Sequence, residues 1–377
     1  MRVLIAPDGF TGTLSAVEAA EAIAAGWRQV APDDELLCAP LSDGGPGFVD
    51  VLSSVLGGRR LTYVVTGPLG EPVPAEVLLV DDTAYVESAQ ACGLHLVPAV
   101  ARDPLRTTTF GVGELLAAAI EAGARQVVVG LGGSGTNDGG AGALAALGAQ
   151  PGALLRAGGG ALRDLDPADL DLGAARERVA GVELRIATDV DNLLLGLRGA
   201  SAVFGPQKGA DGDVVQRLDV ALEHFARAAQ PGVGLNMPGS AAVLPGAGAA
   251  GGLGFGLLLL GAKRVAGIAT VAELTGLSAA INTVDLVVTG EGSFDWQSLS
   301  GKVVAGVAAA AGEHARPCLV LAGRVEVGRR EMAALGVAGA YSLVEFLGSE
   351  QAAQEPAFDN LAALAARVAG NWSPREA

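Results

Sequence analysis

The chain has 377 residues, of which 50% are hydrophobic, 18% are charged and 56 are glycine. Asp and Glu outnumber Lys and Arg by 41 to 25, which gives a formal net charge of −16 at pH 7. The length predicts two domains rather than one small core, and the apolar fraction excludes a disordered chain. The negative charge excludes nucleic acid and an anionic membrane surface as main partners, because both require a basic face.

The first quarter of the sequence predicts alternating strands and helices. A short apolar strand over 3–6 is followed by Ser15 and Glu18, whose spacing is that of a capping box at the start of a helix. A second strand over 36–39 leads through Asp43-Gly44-Gly45 into a helix over 48–56. Two successive strand–loop–helix units are typical of an open parallel sheet.

The middle of the sequence has a different pattern. Three short strands joined by turns predict an antiparallel meander over 61–66, 73–80 and 83–87. The predicted elements that follow are strands over 126–129 and 183–187 and helices over 112–122, 140–147, 213–229 and 253–260. Residues 150–180 give no clear pattern. The uncharged run 241–262 contains Pro245 and many glycines, which predicts a loop and a buried helix rather than a membrane span.

From residue 285 the strand–helix alternation returns. The predicted elements are strands over 286–289, 318–321 and 340–343 and helices over 303–311 and 360–368. The fold class is therefore predicted to be α/β with two domains. Residues 1–60 and 283–377 would form a discontinuous Rossmann-like parallel-sheet domain, and residues 61–282 an inserted second α/β domain.

The number and spacing of the cysteines indicate the cellular compartment of the protein. Cys38, Cys92 and Cys318 are far apart and form neither a CxxC pair nor a zinc spacing. A sparse, odd set is typical of reduced intracellular proteins, and no apolar leader follows Met1. We therefore predict a cytoplasmic protein that needs no membrane. The sequence leaves open whether it forms a homo-oligomer.

Glycines and carboxylates follow five of the predicted strands. They are Asp8, Asp43 with Gly44 and Gly45, the Gly-rich run 130–140, Asp189 with Asp191, and Glu291 with Asp295. Open α/β sheets bind ligands beyond the carboxyl ends of their strands. Glycines let backbone N–H groups approach phosphate oxygens, and carboxylates hold Mg²⁺. The combination predicts phosphoryl transfer, with Lys208, Lys302 and Arg324 as candidate cations.

Simpler interpretations of the same residues stay open. An Asp after a strand is often a helix cap, which applies equally to Asp43 and Asp138, and Gly-rich turns are often only turns. The run 130–135 fits G-x-G-x-x-G, but no acidic residue follows about twenty positions later, which disfavours a dinucleotide site. The sequence has no P-loop motif, and Thr136 stands where a hydrolase elbow needs glycine.

These clusters resemble, nearly end to end, those of the bacterial glycerate kinases of the glycerate 2-kinase type. The most specific motif is GGSGTNDGG at 132–140. Further motifs are APDGF at 6–10, DGG at 43–45, TGPLG at 66–70, TTTFG at 107–111, DVDN at 189–192, FGPQKG at 204–209, PGAGAAGG at 245–252 and TGEG at 289–292. The resemblance implies a kinase that uses ATP and Mg²⁺ to phosphorylate D-glycerate, with 2-phosphoglycerate as product. It also implies two α/β domains with the active site between them.

With this resemblance in place, residue chemistry suggests roles. We expect Asp8 or Asp43 to accept the hydroxyl proton of glycerate, and Lys208 or Lys302 to neutralise phosphate or the glycerate carboxylate. Mg²⁺ would be held by Asp189 and Asp191 together with Asp295 or Glu291, which makes Asp189 a catalytic candidate as well. The backbone N–H groups expected to cradle the ATP phosphates lie in the loops of Gly132, Gly133, Ser134, Thr136, Asn137, Gly248, Gly251 and Gly252.

Three positions depart from the family pattern. Thr11 stands where the family usually has Lys, Pro46 where it has Glu, and Ser293 where it has Arg. A hydrogen bond to a charged group contributes roughly 1.5–3 kcal/mol, so each change bears on the binding of an anionic substrate. The alternative prediction is therefore a degenerate or retuned paralogue that binds or phosphorylates another small hydroxy acid.

Overall fold

The computed structural model describes residues 1–10, 12–299 and 302–373, without the side chain of Gln297. Thr11 therefore lies outside the described residues. The chain divides into two compact units. The first contains Met1–Asp43, Asp50–Leu56 and the chain from Ile268 onward, and the second contains Gly44–Val49 and Gly57–Gly267.

Strands of both units are numbered together along the chain. They are β1 (Arg2–Ile5), β2 (Glu35–Cys38), β3 (Arg59–Thr66), β4 (Pro72–Val80), β5 (Thr83–Glu87), β6 (Gln126–Gly130), β7 (Glu183–Ala187), β8 (Lys263–Val265), β9 (Leu286–Phe294), β10 (Cys318–Val325) and β11 (Val337–Ser342).

Helices are numbered in the same way. They are α1 (Ala16–Val30), α2 (Phe48–Leu56), α3 (Ala89–Cys92), α4 (Phe110–Glu121), α5 (Ala141–Ala146), α6 (Gly152–Leu155), α7 (Gly173–Arg178), α8 (Ala200–Phe204), α9 (Gly212–Ala229), α10 (Ala249–Leu259), α11 (Gly267–Leu274), α12 (Leu277–Asn282), α13 (Val303–Glu313), α14 (Arg329–Leu335), α15 (Leu343–Leu347), α16 (Glu350–Gln354) and α17 (Ala357–Trp372). Short 3₁₀ turns cover Leu94–Leu96, Ala99–Ala101, Gly159–Asp164, Pro206–Lys208, Ala241–Val243 and Trp296–Leu299.

The first unit is built on a parallel sheet with the order β11-β10-β9-β1-β2. The central strands β1, β9 and β10 each contain a buried apolar run, as expected of a parallel sheet covered by helices. Helices α1 and α17 pack together on it, so closely that a Cβ at Gly26 would lie 1.9 Å from the carbonyl oxygen of Ala362. From β1 the sheet grows to one side through β2 and to the other side through β9, β10 and β11. The gap between β1 and β9 is therefore the topological switch point, where open α/β sheets bind ligands.

Helix α1 begins as the sequence predicts. The Ser15 hydroxyl accepts a hydrogen bond from the Glu18 amide, and the Glu18 carboxylate accepts one from the Ser15 amide. This capping box satisfies two otherwise unpaired donors at the helix start. It fixes where the loop after β1 ends and α1 starts.

The second unit contains a six-stranded mixed sheet with the order β3-β4-β5-β6-β7-β8. Strands β3, β4 and β5 pair antiparallel, which confirms the predicted meander, and β5 to β8 pair parallel. Its core is formed by Val127, Val129, Ile186, Leu253, Phe225 and their neighbours. The α/β fold class with a parallel-sheet unit is confirmed.

The structure differs from the sequence prediction at several places, among them β8, which was not predicted, and β11, which covers Val337–Ser342 instead of 340–343. Strands β9 and β10 run on to Phe294 and Val325, beyond their predicted ends at 289 and 321, because their pairing continues to Ser293–Arg324 and Phe294–Val325. By contrast, the predicted helix over 253–260 agrees with the structure, because left-handed backbone at Ala250, Gly251 and Gly252 precedes the regular part of α10. Residues 150–180 form short helices rather than a patternless segment.

The predicted domain limits, 1–60 with 283–377 and 61–282, stay a prediction. The compact units differ from these limits in that residues 44–49 and 57–60 belong to the second unit and residues 268–282 to the first. Among the described helices, none combines the length and the apolar character needed to cross a bilayer.

Candidate active site

Three carboxylates of the first unit lie on loops or strands beside the switch point. Asp8 follows β1, and its backbone N–H donates to the carbonyl of Gly290 in β9 at 2.8 Å. One Asp8 carboxylate oxygen accepts from the Gly9 N–H at 2.7 Å. Asp43 follows β2, and Glu291 lies within β9 rather than in a loop after it, which corrects its predicted placement.

Burial and like charge act together on these carboxylates. Burial, reinforced by the negative charges of Asp43 and Glu291, holds the pKa of Asp8 well above its usual range. Burial also raises the pKa of Glu291 to about 7, against the opposing effects of Ser298 and Lys302. Carboxylates that crowd one another in this way favour a shared proton or a bound cation.

Glu291 has a buried oxygen that lacks a partner. The residue is 5% exposed, and its Oε1 has no hydrogen-bond partner among the described atoms. An unpaired buried acceptor is costly, so such atoms are rare unless a ligand, a water molecule or an ion satisfies them. The donor set fits a hard cation such as Mg²⁺, which takes oxygen ligands.

Lys302 and Asp295 complete this group. Lys302 stands directly before α13, and its charge lowers the pKa of both Asp8 and Glu291. Asp295 follows β9 and raises the pKa of Glu291. The structure thus brings together the predicted residues Asp8, Asp43, Glu291, Asp295 and Lys302 within the first unit.

In the second unit, the predicted Gly-rich loops pack against each other. The Gly139 N–H donates to the carbonyl of Gly251 at 3.1 Å, and a Cβ at Gly251 would lie 1.9 Å from the Thr136 carbonyl oxygen. A Cβ at Gly252 would lie 2.7 Å from the Gly139 Cα. These glycines therefore have a packing role whether or not the loops also bind phosphate.

Other glycines of the loops approach different backbone segments. A Cβ at Gly132 would lie 2.5 Å from the Cα of Gly45, one at Gly133 would lie 2.6 Å from the Pro46 ring, and one at Gly248 would lie 2.3 Å from the Leu193 carbonyl oxygen. The loop after β6 is thus enclosed closely by its own unit. Pro46, one of the three departures, is part of that enclosure.

Lys208 is turned into the second unit. It is 1% exposed, and its ammonium donates to the Ser134 hydroxyl at 3.0 Å and to the Thr136 carbonyl at 2.6 Å. Burial lowers the pKa of Lys208 to about 8, although the Cys92 and Asp138 groups oppose this effect. The ammonium therefore supports the loop that carries Ser134 and Thr136.

Asp138 is a structural residue whose role the sequence left open. Its carboxylate is fully buried and accepts from the N–H and hydroxyl of Thr109 and from the N–H groups of Gly140 and Gly142. Burial raises its pKa, and these donors oppose the rise. It joins the start of α4 to the start of α5. The importance of Thr109 was not recognised from the sequence, where only the TTTFG motif at 107–111 pointed to it.

Asp189 and Asp191 follow β7, as predicted. The Asp189 carboxylate accepts from the Gly267 N–H at 3.1 Å, and the exposed Asp191 carboxylate pairs with Arg264 at 2.8 Å. Among the described residues, no three His, Cys, Asp or Glu side chains form a ready metal-binding group. Mg²⁺ commonly uses only one or two protein carboxylates together with substrate phosphates, so its assignment stays a prediction.

Comparison with known proteins identifies the family. The model of the glycerate kinase family matches residues 3–373. The chain belongs to the glycerate kinase family. This confirms the resemblance found in the sequence, and the family consists of kinases that phosphorylate an alcohol group.

Named relatives of this glycerate kinase family member cover almost the whole chain. It is 44% identical to "Glycerate kinase" of Bacillus subtilis (strain 168) over 91% of this chain and 90% of the relative. It is 40% identical to "Glycerate 2-kinase" of Escherichia coli (strain K12) over 98% of this chain and 97% of the relative. A crystal structure of a chain assigned as glycerate kinase 2 from Salmonella typhimurium LT2 matches with a TM-score of 0.75 and 38% identity, covering 98% of each chain.

Proposed function

We propose that the chain is a glycerate kinase that transfers the γ-phosphoryl group of ATP to a hydroxyl of D-glycerate and releases 2-phosphoglycerate and ADP. The observation that carries this proposal is the family match over residues 3–373. The Escherichia coli relative named glycerate 2-kinase, aligned over 98% of the chain, supports phosphorylation at the second carbon. The free cysteines Cys38, Cys92 and Cys318 support a reducing, cytoplasmic location.

In the first unit, Asp8 is the better candidate for the base. Burial, reinforced by the charge of Asp43, holds the pKa of Asp8 well above its usual range, which makes its carboxylate a stronger base than an ordinary Asp. Asp8 would accept the hydroxyl proton of glycerate as the oxygen attacks phosphorus, and Asp43 would keep that pKa raised. Lys302 would neutralise negative charge on the substrate beside them.

Glu291 and Asp295 are the residues of this unit that would hold Mg²⁺, and Asp189 and Asp191 remain candidates in the second unit. The unpaired buried Oε1 of Glu291 supports this assignment. When bound, the ion neutralises charge on the transferring phosphoryl group.

Mg²⁺ alone should raise the melting temperature at pH 8, and the rise should be smaller in Glu291→Gln. An equal rise in both proteins would remove Glu291 from the metal site.

In the second unit, the loops that contain Gly132, Gly133, Ser134, Thr136 and Asn137 and Gly248, Gly251 and Gly252 would bind phosphate oxygens through backbone N–H groups. Phosphoryl transfer depends mainly on such positioning and charge neutralisation. We assign Lys208 to the support of this loop, because its ammonium already donates to Ser134 and Thr136.

The test is an ADP-release assay with MgATP and D-glycerate, in which the product is separated as 2- or 3-phosphoglycerate. We expect turnover that depends on D-glycerate and yields 2-phosphoglycerate. Formation of 3-phosphoglycerate would overturn the regiochemistry. The absence of turnover in a folded protein that binds MgATP would overturn the substrate.

A retuned kinase for another small hydroxy acid is the second candidate, and it rests on Thr11, Pro46 and Ser293. Ser293 is exposed at the end of β9, where a longer side chain has room. The discriminating experiment is Thr11→Lys, which restores the cation that the family usually has at this position. A large gain in glycerate turnover would support degeneration, whereas no gain with activity on another hydroxy acid would support retuning.

A further inference from the structure

A cavity of about 320 Å³ opens in the first unit over the carboxyl ends of β9 and β10. Its floor is formed by Gly292, Ser293, Gly323 and Arg324, and one side by the turn that follows β1. The other side is formed by α15, α16 and the start of α17. All the lining residues belong to the first unit. The volume is at the lower end of the range of small-molecule sites, roughly 300–1,000 Å³.

The walls of the cavity are mainly apolar. The apolar lining residues are Phe10, Leu14, Leu343, Val344, Ala353 and Ala357. Phe10 is 3% exposed and is held in a tight turn, in which its N–H donates to the Leu14 carbonyl at 2.8 Å. Such walls favour a flat, neutral group that loses little solvation on entry.

The charges of the cavity cancel. Arg324 donates to Glu326 at 3.1 Å and also pairs with Glu350, which itself lines the cavity. A guanidinium with two carboxylate partners has little remaining attraction for an anion. Ser293 and Gln354 add uncharged polar groups. The cavity is therefore suited to hydrogen bonding with a neutral ligand and poorly suited to a phosphate or a carboxylate.

The cavity lies close in sequence to the carboxylates Asp8 and Glu291 of the candidate active site. Phe10 comes two residues after Asp8, and Gly292 directly follows Glu291, so the cavity borders the same edge of the same sheet. Glycerate and the triphosphate of ATP are anions. The neutral planar part of the reactants is the purine base of the nucleotide.

We propose that this cavity is the subsite for the purine base of the nucleotide donor. The inference rests on the proposed function for the identity of the donor. The apolar walls would enclose the faces of the ring, and Ser293 and Gln354 would hydrogen-bond to its edge. Phe10, Leu343 and Ala357 then determine nucleotide affinity without contacting the transferred group.

The test fills the cavity and measures nucleotide binding directly. Ala357 lines the cavity and is half-buried, so Ala357→Phe places a ring where the base would lie. Gln354→Trp is a second filling variant at an exposed lining residue, where folding is not at risk. The matched control is Ala352→Phe, which adds the same bulk at an exposed position of α16 outside the cavity.

Calorimetry with ADP and with inorganic tripolyphosphate, which has no base, separates base recognition from phosphate recognition. We expect both filling variants to weaken ADP binding by at least about tenfold, because the added side chain would occupy the volume that the purine base needs. Binding of tripolyphosphate and the KM for D-glycerate should not change, and Ala352→Phe should bind ADP like the unaltered protein.

The outcomes distinguish this inference from the proposed function. If folded Ala357→Phe and Gln354→Trp bind ADP normally while the protein phosphorylates D-glycerate, the inference is wrong and the proposed function stands. If the variants lose ADP binding but no form of the protein phosphorylates D-glycerate, the inference stands and the substrate is wrong. Failure of the unaltered protein to bind ADP would overturn both.

Discussion

Glu291 destabilises the folded protein in the absence of a ligand, because its buried carboxyl group has an oxygen that a bound ion could satisfy. Its carboxyl group is buried in β9, faces other carboxylates and has an oxygen without a partner. Sequence reasoning identified the residue but not this environment, because the sequence predicted a loop where the strand continues. Burial depends on the pairing of β9 with β10, which is a property of the folded sheet.

Replacement of Glu291 by Gln should stabilise the metal-free protein in a pH-dependent way. The pKa is raised from 4.5 to about 7, so the folded state binds a proton more tightly than the unfolded state does. The penalty from burying the charge is then nearly absent below pH 4.5 and complete above pH 7. We expect a gain in unfolding free energy of about 3 kcal/mol at pH 8 and under about 1 kcal/mol at pH 5.

Urea unfolding in EDTA at the two pH values measures this gain. Glu355→Gln, at an exposed position of the same unit, is the matched control and should change little at either pH. A pH-independent effect of Glu291→Gln would show that burial does not raise the pKa of the Glu291 carboxyl.

Lys208 allows a second prediction at the scale of the residue. Lys208→Ala removes both hydrogen bonds to the loop and leaves a buried gap, so we expect a loss of roughly 2–4 kcal/mol in unfolding free energy. Lys263→Ala, at an exposed lysine of the same unit, should cost under about 0.5 kcal/mol. Denaturant midpoints of the two variants measure the contrast, and equal midpoints would mean that the loop does not need Lys208.

At the scale of the element, the two Gly-rich loops of the second unit act as one packed pair. Gly251 shows why glycine is required, because its φ is +66° and the Thr136 carbonyl occupies the space of a Cβ. Gly261 also has a positive φ, +86°, but has no atom within 4 Å of a Cβ. An alanine at either position would have a strained backbone, but only an alanine at position 251 would also collide with neighbouring atoms.

Gly251→Ala should destabilise the protein much more than Gly261→Ala. Both variants pay about 1 kcal/mol or more for a left-handed alanine, whereas only Gly251→Ala forces two backbones apart. We expect a total above about 3 kcal/mol for Gly251→Ala. Urea unfolding followed by circular dichroism tests this. Similar losses in both variants would indicate that the loops separate easily.

Local sequence signals predicted the elements better than they predicted the site. The Ser15–Glu18 capping box and the antiparallel meander are encoded by neighbouring residues, and both are confirmed. The continuation of β9 beyond residue 289 and the inward direction of Lys208 depend on contacts between segments distant in sequence. The sequence marked the residues of the candidate site by type and position, but it contained no information on which of them are already paired.

At the scale of the whole molecule, the net charge of −16 opposes compactness. Salt shortens the screening length from about 30 Å at 0.01 M to about 10 Å at 0.1 M, which weakens repulsion among surface carboxylates. We expect the melting temperature at pH 8 to rise with NaCl up to about 0.3 M, and to rise less at pH 5, where carboxylates begin to protonate. A melting temperature that falls with NaCl at pH 8 would show that ion pairs outweigh this repulsion.

The strand order of the first unit affects how the chain is made. β1 lies between β2 and β9, and the Thr289 hydroxyl in β9 donates to the Ala6 carbonyl 283 residues earlier. A ribosome that adds 5–20 residues per second therefore delivers β9 about 15–60 s after β1. During that interval the edge of β1 that pairs with β9 lacks its partner. Helix α1 waits longer still, because its packing partner α17 is made after β9, so the first strand and the first helix of this unit both depend on partners from the end of the chain.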